Sequence, residues 1–271
     1  MESRFPARIG GRSSARRFAI LGLFSALYAV FRYIPTFPMY GLPGTSFRAG
    51  DFLAPILGIL LGPWLAVPCI VIGTILNYAF APPIFLGLDF LPACVSATVA
   101  GLITSGRTKY AIALYALLLG FFLALPLSTF WIQVAGVKVP YAWLHIVALI
   151  ALISPIGLRS YKWTRTSVGA TLATGVLVTV FSATMAQHLT GGILEELVLF
   201  PTFKITTASK ASLFWSFIFY LYPIERLVIT VVTTTFGIFI IQAIRTAHLD
   251  EVLAGIRGRT HLGSPRQQPV R

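Results

Sequence analysis

Residues 52–88 read FLAPILGILLGPWLAVPCIVIGTILNYAFAPPIFLGL, 37 consecutive positions without a charged side chain, bounded by Asp51 and Asp89. As one helix this run would be about 55 Å long, against a hydrocarbon core of roughly 30 Å, so it must turn back. Gly62-Pro63 is the natural break, because proline suits the first position of a helix and glycine the end of the one before. Pro82-Pro83 makes a second break. The run thus reads as a short helix over 52–61 and a longer one over 64–80. The short helix covers only about 15 Å, so it must be tilted, buried among neighbours or extended backwards.

The rest of the chain has the same character. Of 271 residues, 56% are apolar and 11% charged, where a soluble domain carries about 25% charged residues. Such a chain cannot cover a water-facing surface, which excludes a soluble enzyme, a coiled coil and a secreted scaffold. Further charge-free runs occupy 110–137, 166–194 and 227–244. Cys69 and Cys94 lie inside apolar runs and offer neither a disulfide framework nor metal spacing. The net charge of +13 suits nucleic acid less well than it suits a membrane. Five arginines fall in residues 1–17 and five more in 245–271, the pattern of cytoplasmic ends held beside anionic lipid.

Apolar runs predict an all-α integral membrane protein, a polytopic bundle of about eight membrane helices with both termini cytoplasmic. The first span is 18–31, retained rather than cleaved, because no small-x-small cleavage pattern follows it. After 52–61 and 64–80 come spans near 88–104, 110–127, 141–158, 167–188 and 224–245. Residues 1–17 and 246–271 are read as basic tails and 18–245 as the transmembrane domain. Eight spans place 15 of the 21 basic residues inside; fusing 52–80 into one span leaves nine inside and twelve outside. The positive-inside bias selects eight. Residues 189–210 then form a long outer loop, and 211–222, with six aromatics in twelve residues, an interfacial helix or an aromatic belt leading into the final span.

Sequence motifs for chemistry are lacking. There is no GxxxxGK[ST] loop, no HExxH and no Gly-x-Ser-x-Gly elbow, so the expectation is a chain without catalytic residues, metal or cofactor. Polar residues gather at the outer face. Arg48 and Asp51 frame the glycine- and proline-bearing loop GLPGTSFRAGD (41–51), as pocket residues or as a loop pair with Asp51 capping a helix. Asn77, the sole asparagine, serves a ligand or links helices. Asp89 opens the fourth span as ligand group or cap, and His188 closes the span before the long loop. Glu225 and Arg226 follow Tyr222-Pro223 at the mouth of the last span. Neighbouring helix positions do not face each other, so each is expected to seek a partner elsewhere. In the first span, Gly22 with Ala26 and Ser25 with Ala29 form two small-xxx-small pairs that admit a helix of this chain or of another subunit.

Several of these segments together resemble the substrate-binding S components of energy-coupling factor (ECF) transporters. They are the basic amino end running into a first span with small-xxx-small pairs, the loop GLPGTSFRAGD, the string DFLAPILGILLGPWLAVPCIVIGTILN (51–77) and the closing YPIERLVITVVTTTFGIFIIQAIR (222–245). The resemblance implies capture of a vitamin or similar micronutrient at the outer face and release inward. The implied partners are membrane lipid, a scaffold (T) subunit and two ATPase subunits, with no nucleic acid. It implies docking through Gly22, Ser25, Ala26 and Ala29, where Gly or Ser replaces the family's Ala. It implies a pocket drawing on Arg48, Asp51, His188, Glu195 and Trp131. The family has six spans, so eight implies an added hairpin around 110–158.

Two other classes compete with solute capture. A self-sufficient secondary carrier predicts an internal repeat and ionisable groups at midplane; no repeat is visible. A membrane enzyme or assembly protein predicts polar groups clustered on one cavity.

Overall fold

The structure is a computed structural model that describes residues 10–39, 45–166 and 168–247. The side chains of residues 10–14 and 166 are outside the described set, as are most of both basic tails, Tyr40 and positions 41–44 of the loop GLPGTSFRAGD.

Helix α1 (Gly10–Tyr33) leads into a two-stranded hairpin, β1 (Pro35–Pro38) and β2 (Ser46–Arg48). Helices α2 (Gly50–Leu61) and α3 (Pro63–Asn77) follow, then α4 (Leu91–Thr104) and α5 (Thr108–Ala124). A second hairpin, β3 (Trp131–Val134) and β4 (Val137–Pro140), precedes α6 (Trp143–Ile153) and α7 (Pro155–Thr166). The chain ends in α8 (Gly169–Leu194), a π-helical turn (Glu195–Leu199), the short α9 (Phe200–Thr202) and α10 (Ala208–Thr246).

The break between α2 and α3 is at Gly62, whose φ of +72° a side chain would strain, with Pro63 opening the next helix. A straight continuation would put Asp51 and Asn77 about 39 Å apart, yet both line one cavity. The chain therefore doubles back at this corner.

Glycines set the helix crossings. A Cβ on Gly58 would collide with the Ala97 carbonyl, and one on Gly101 would meet the Pro63 nitrogen at 2.6 Å. The pairs 58–97 and 63–101 advance together, so α2 runs alongside α4 in the same direction. Gly73 likewise abuts the Ser25 carbonyl, at 2.6 Å from an added Cβ, and Cys69 Sγ lies 3.8 Å from Leu21 O. That register makes α1 and α3 parallel. Such close backbone approach is the packing mode of apolar bundles, where small residues replace the hydrophobic drive available in water.

The bundle has two unlike ends. At one, Arg245 donates to Thr164 O at 2.8 Å and Gly106 packs beside the Tyr161 ring, which gathers the basic turns after α4 and α7. At the other lie both hairpins, the end of α3, the start of α4 and the π-helical turn, tied by Leu127 N–H to Glu196 Oε1 at 2.7 Å and Trp215 Nε1–H to Leu127 O at 2.9 Å.

Among the described residues two helices are long and apolar enough to cross a membrane, 169–202 and Ala208–Thr246. The pair α6 and α7, bent by 66°, makes a third if taken as one span, and α2 to α5 are shorter apolar helices. Four sequence expectations are corrected. Residues 141–158 are not one straight helix, because Pro155 starts a new one carrying the basic cluster Arg159, Lys162 and Arg165. Residues 189–202 are helical rather than loop, since the apolar, hydrogen-bonded turns continue through Gly191-Gly192. Residues 211–222 are not a separate interfacial helix but the first third of the 39-residue α10, which runs through Pro223. Proline costs that helix one backbone bond, which neighbouring groups in a bundle can absorb. Residues 10–17, read as tail, already belong to α1.

Candidate functional site

A cavity of about 90 Å³ opens at the hairpin end of the bundle. Six parts of the chain build it. The end of α1 and β2 supply Arg32 and Arg48, and the start of α2 supplies Asp51. The end of α3 and the turn that follows bring Asn77, Tyr78 and Asp89. From α8 and the π-helical turn come Gln187, His188 and Glu195. The middle of α10 adds Tyr222, Glu225 and Arg226. Phe47 and Phe85 give it apolar walls, and a small cluster of Met39, Phe85, Leu194 and Leu199 fastens the β1–β2 hairpin over it.

Local structure places each group. In the π-helical turn the two adjacent glutamates diverge: Glu195 lines the cavity, while Glu196 turns away to accept the Leu127 N–H. Such turns widen the helix by one residue and are frequent at functional sites. Positions 222, 225 and 226 of α10 share one face by the i, i+3, i+4 rule, and all three side chains reach the cavity. His188 stacks on Tyr222, with ring centroids 4.8 Å apart, and its Nδ1 lies 3.0 Å from Nε2 of the fully buried His145. Tyr222 donates its hydroxyl to Tyr141 O at 2.9 Å. A floor of Phe122, Tyr141 and Trp215 backs this stack.

The polar groups divide into two kinds. Asp89 is held by the chain itself: its carboxylate accepts Ile84 N–H at 2.9 Å, Phe85 N–H at 3.2 Å and the Tyr78 hydroxyl at 3.4 Å. It organises the turn after α3 rather than capping α4. Burial, with the Asp89 carboxylate adding to it, pushes the Tyr78 phenol up to about 12, so that it stays a donor. Asp51 accepts Gln187 Nε2–H at 2.6 Å and feels the guanidinium groups of Arg226 and Arg32. Arg48 reaches the Tyr33 carbonyl at 3.5 Å.

The second kind has polar atoms without a partner. Arg226, 2% exposed, has unpartnered Nε and Nη2; Glu225, 4% exposed, an unpartnered Oε1; Asn77, 3% exposed, an unpartnered Nδ2. Glu225 and Arg226 were not expected to meet, yet Arg226 Nη2 stands 3.7 Å from Glu225 Oε2. The arginine is long enough to fold back over one position. That distance is beyond hydrogen bonding, so the pair compensates charge without satisfying its donors and acceptors.

Eight of the nine sequence candidates, Arg48, Asp51, Asn77, Asp89, His188, Glu195, Glu225 and Arg226, line the one cavity. Trp131 does not. It sits on β3 at 57% exposure, in a hairpin whose register joins it to Pro140. The sequence reading missed Arg32, Tyr78, Gln187, Tyr222 and His145. Gln187 was visible as the polar neighbour of His188 inside an apolar run, and His145 as an ionisable residue inside a span.

The docking candidates divide. Ser25 and Ala29 face inward, in contact with Gly73 of α3. Gly22 and Ala26 are exposed, with nothing within 4 Å of a Cβ placed on Gly22. Among the described residues no group of three or more His, Cys, Asp or Glu side chains is arranged to hold a metal ion. No family model, curated protein or solved structure matches the chain.

Proposed function

We propose that the chain is a multi-pass membrane protein that captures a small solute in this cavity, at the outer face, and serves as the S component of an ECF-type importer. In this reading the eight expected spans alternate between a cytoplasmic end bearing Arg107, Lys109, Arg159, Lys162 and Arg165 and an outer end bearing the cavity. A scaffold subunit and two ATPase subunits supply the coupling, with the exposed Gly22–Ala26 face of α1 free to meet the scaffold. The observation that carries capture is the convergence of charged groups of both signs from six chain segments on a cavity bordered by a hairpin. Ionisable groups are costly in a bilayer and mark ligand or ion paths.

A self-sufficient carrier is the second reading. It is favoured by Glu225 and Arg226 standing halfway along α10, with His145 and His188 beside them within the bundle. An enzyme also predicts clustered polar groups, as found here. Native mass spectrometry of the purified chain, followed by reconstitution in vesicles, tests all three. Capture predicts a retained, chemically unchanged small molecule, and no uptake until scaffold and ATPases are added. Uptake by the chain alone selects the carrier, and a converted ligand selects the enzyme.

A further inference from the structure

The unpartnered atoms of the cavity describe their own ligand. We propose that it is a small zwitterion, a molecule with a carboxylate and an ammonium on the same or adjacent carbons; the inference rests on reading the cavity as a ligand site. Nε–H and Nη2–H lie on one edge of a guanidinium, the edge that takes both oxygens of a carboxylate side-on. On Arg226 both are free of hydrogen bonds. Asn77 Nδ2 adds a third donor from α3. Two residues that line the same cavity carry buried acceptors without a partner, Glu225 Oε1 and Gln187 Oε1. Ammonium supplies three N–H donors and no acceptor, the complement of that pair.

Arg226 and Glu225 stand side by side, Nη2 3.7 Å from Oε2, so a ligand that meets both carries its two charges close together. Charges of both signs line the cavity, Arg32, Arg48 and Arg226 beside Asp51, Asp89, Glu195 and Glu225, so it offers a partner to each end of a zwitterion. Volume admits a small molecule: the roughly 90 Å³ is room for the centres of water-sized spheres, of which one water takes about 10–15 Å³. Phe47, 5.5 Å from the Arg226 guanidinium, gives the ligand a dry wall on which both charge pairs strengthen.

The test uses the full chain in lipid nanodiscs, with binding read by calorimetry and thermal shift. Probes are glycine, L-alanine, L-serine and β-alanine, set against acetate, propionate, methylamine, ethylamine and inorganic phosphate. At least one zwitterion is expected to bind at least tenfold more tightly than its acid-only and amine-only analogues. Glu225→Gln is expected to weaken that zwitterion tenfold or more while leaving the acid-only analogue unchanged. If Glu225→Gln does not fold, Asn77→Asp serves, with the same loss expected for the carboxylate side. Equal binding of a singly charged analogue or of phosphate overturns the proposal, as does no binding of any zwitterion. Should no zwitterion bind while native mass spectrometry shows another retained molecule, the ligand class falls and solute capture stands. With nothing retained either, both fall.

Discussion

The bond between Gln187 and Asp51 joins residues 136 apart in sequence, with Nε2 to Oδ1 at 2.6 Å, and it links α8 to the start of α2 at the cavity. Replacing Gln187 by Leu keeps the volume and removes the donor. Two magnitudes compete. Interhelical hydrogen bonds in membrane bundles average about 0.6 kcal/mol by double-mutant cycles. A bond to an ionised partner contributes about 1.5–3 kcal/mol. Burial raises the Asp51 carboxyl above its ordinary value, opposed by the guanidiniums of Arg226 and Arg32; the bond of 2.6 Å is as short as a charge-assisted one, so the larger figure applies. We therefore expect a cycle of Gln187→Leu and Asp51→Ala to give a coupling energy above about 1.5 kcal/mol, more than tenfold in the equilibrium constant. The assay is equilibrium unfolding in mixed detergent and SDS micelles, followed by tryptophan fluorescence. A coupling of about 0.6 kcal/mol or less refutes the reasoning, because it means either a neutral Asp51 or a bond that is not formed.

Three further outcomes are expected. Gly58→Val, forced against the Ala97 carbonyl, is expected to cost about 1–3 kcal/mol by overpacking, whereas Gly22→Val, with open space around it, stays within about 0.5 kcal/mol in the same unfolding assay. Trp131→Ala is expected to leave retention of the bound molecule unchanged in native mass spectrometry, since the indole lies outside the cavity; loss of retention would return it to the site. Tyr78 holds its proton more tightly when folded, from an ordinary 10 to about 12, so the stability it lends is intact below pH 10 and is lost as pH rises towards 12. Alkaline unfolding curves of wild type and Tyr78→Phe should therefore diverge below pH 10 and converge by pH 12, and parallel curves through that window would contradict it.

The corner at Gly62-Pro63 was legible because two residue types with opposite backbone demands stand side by side in an apolar run. The cavity residues were legible for a related reason: in a chain with 11% charge, each ionisable group outside the tails stands out. Other features were hidden. The β3–β4 hairpin turns at Ala135-Gly136, with φ of +48° and +84°, between β-branched residues, a two-residue turn signal obscured by the expectation of an outer loop. The π-helical turn has no signature in EELVL, because one inserted residue per turn is decided by what its side chains meet. Pro223 gave a false stop, since a lost backbone bond ends a helix in water more readily than within a bundle. Nor did spacing reveal that Ser25 and Ala29 pack on α3 while Gly22 and Ala26 stay open. Both pairs have the same pattern, and only the neighbour distinguishes them.

The separation of held from unheld polar groups bears most directly on what the bundle is for. Stability accounts for Asp89, which ties a turn with three hydrogen bonds, and for Glu196, which holds the chain after α5. It does not account for Arg226, Glu225 and Asn77. A buried ion pair left short of hydrogen bonds commonly lowers stability relative to apolar residues of the same volume, and a free amide donor in an apolar interior adds its own desolvation cost. The three residues line a single space, come from two helices and combine donors with acceptors. A group that weakens the empty bundle, and whose complement is a dipolar molecule of the size of the space, gains its hydrogen bonds when that molecule arrives. The occupied protein should accordingly be the more stable one, by an amount set by the logarithm of ligand concentration over dissociation constant.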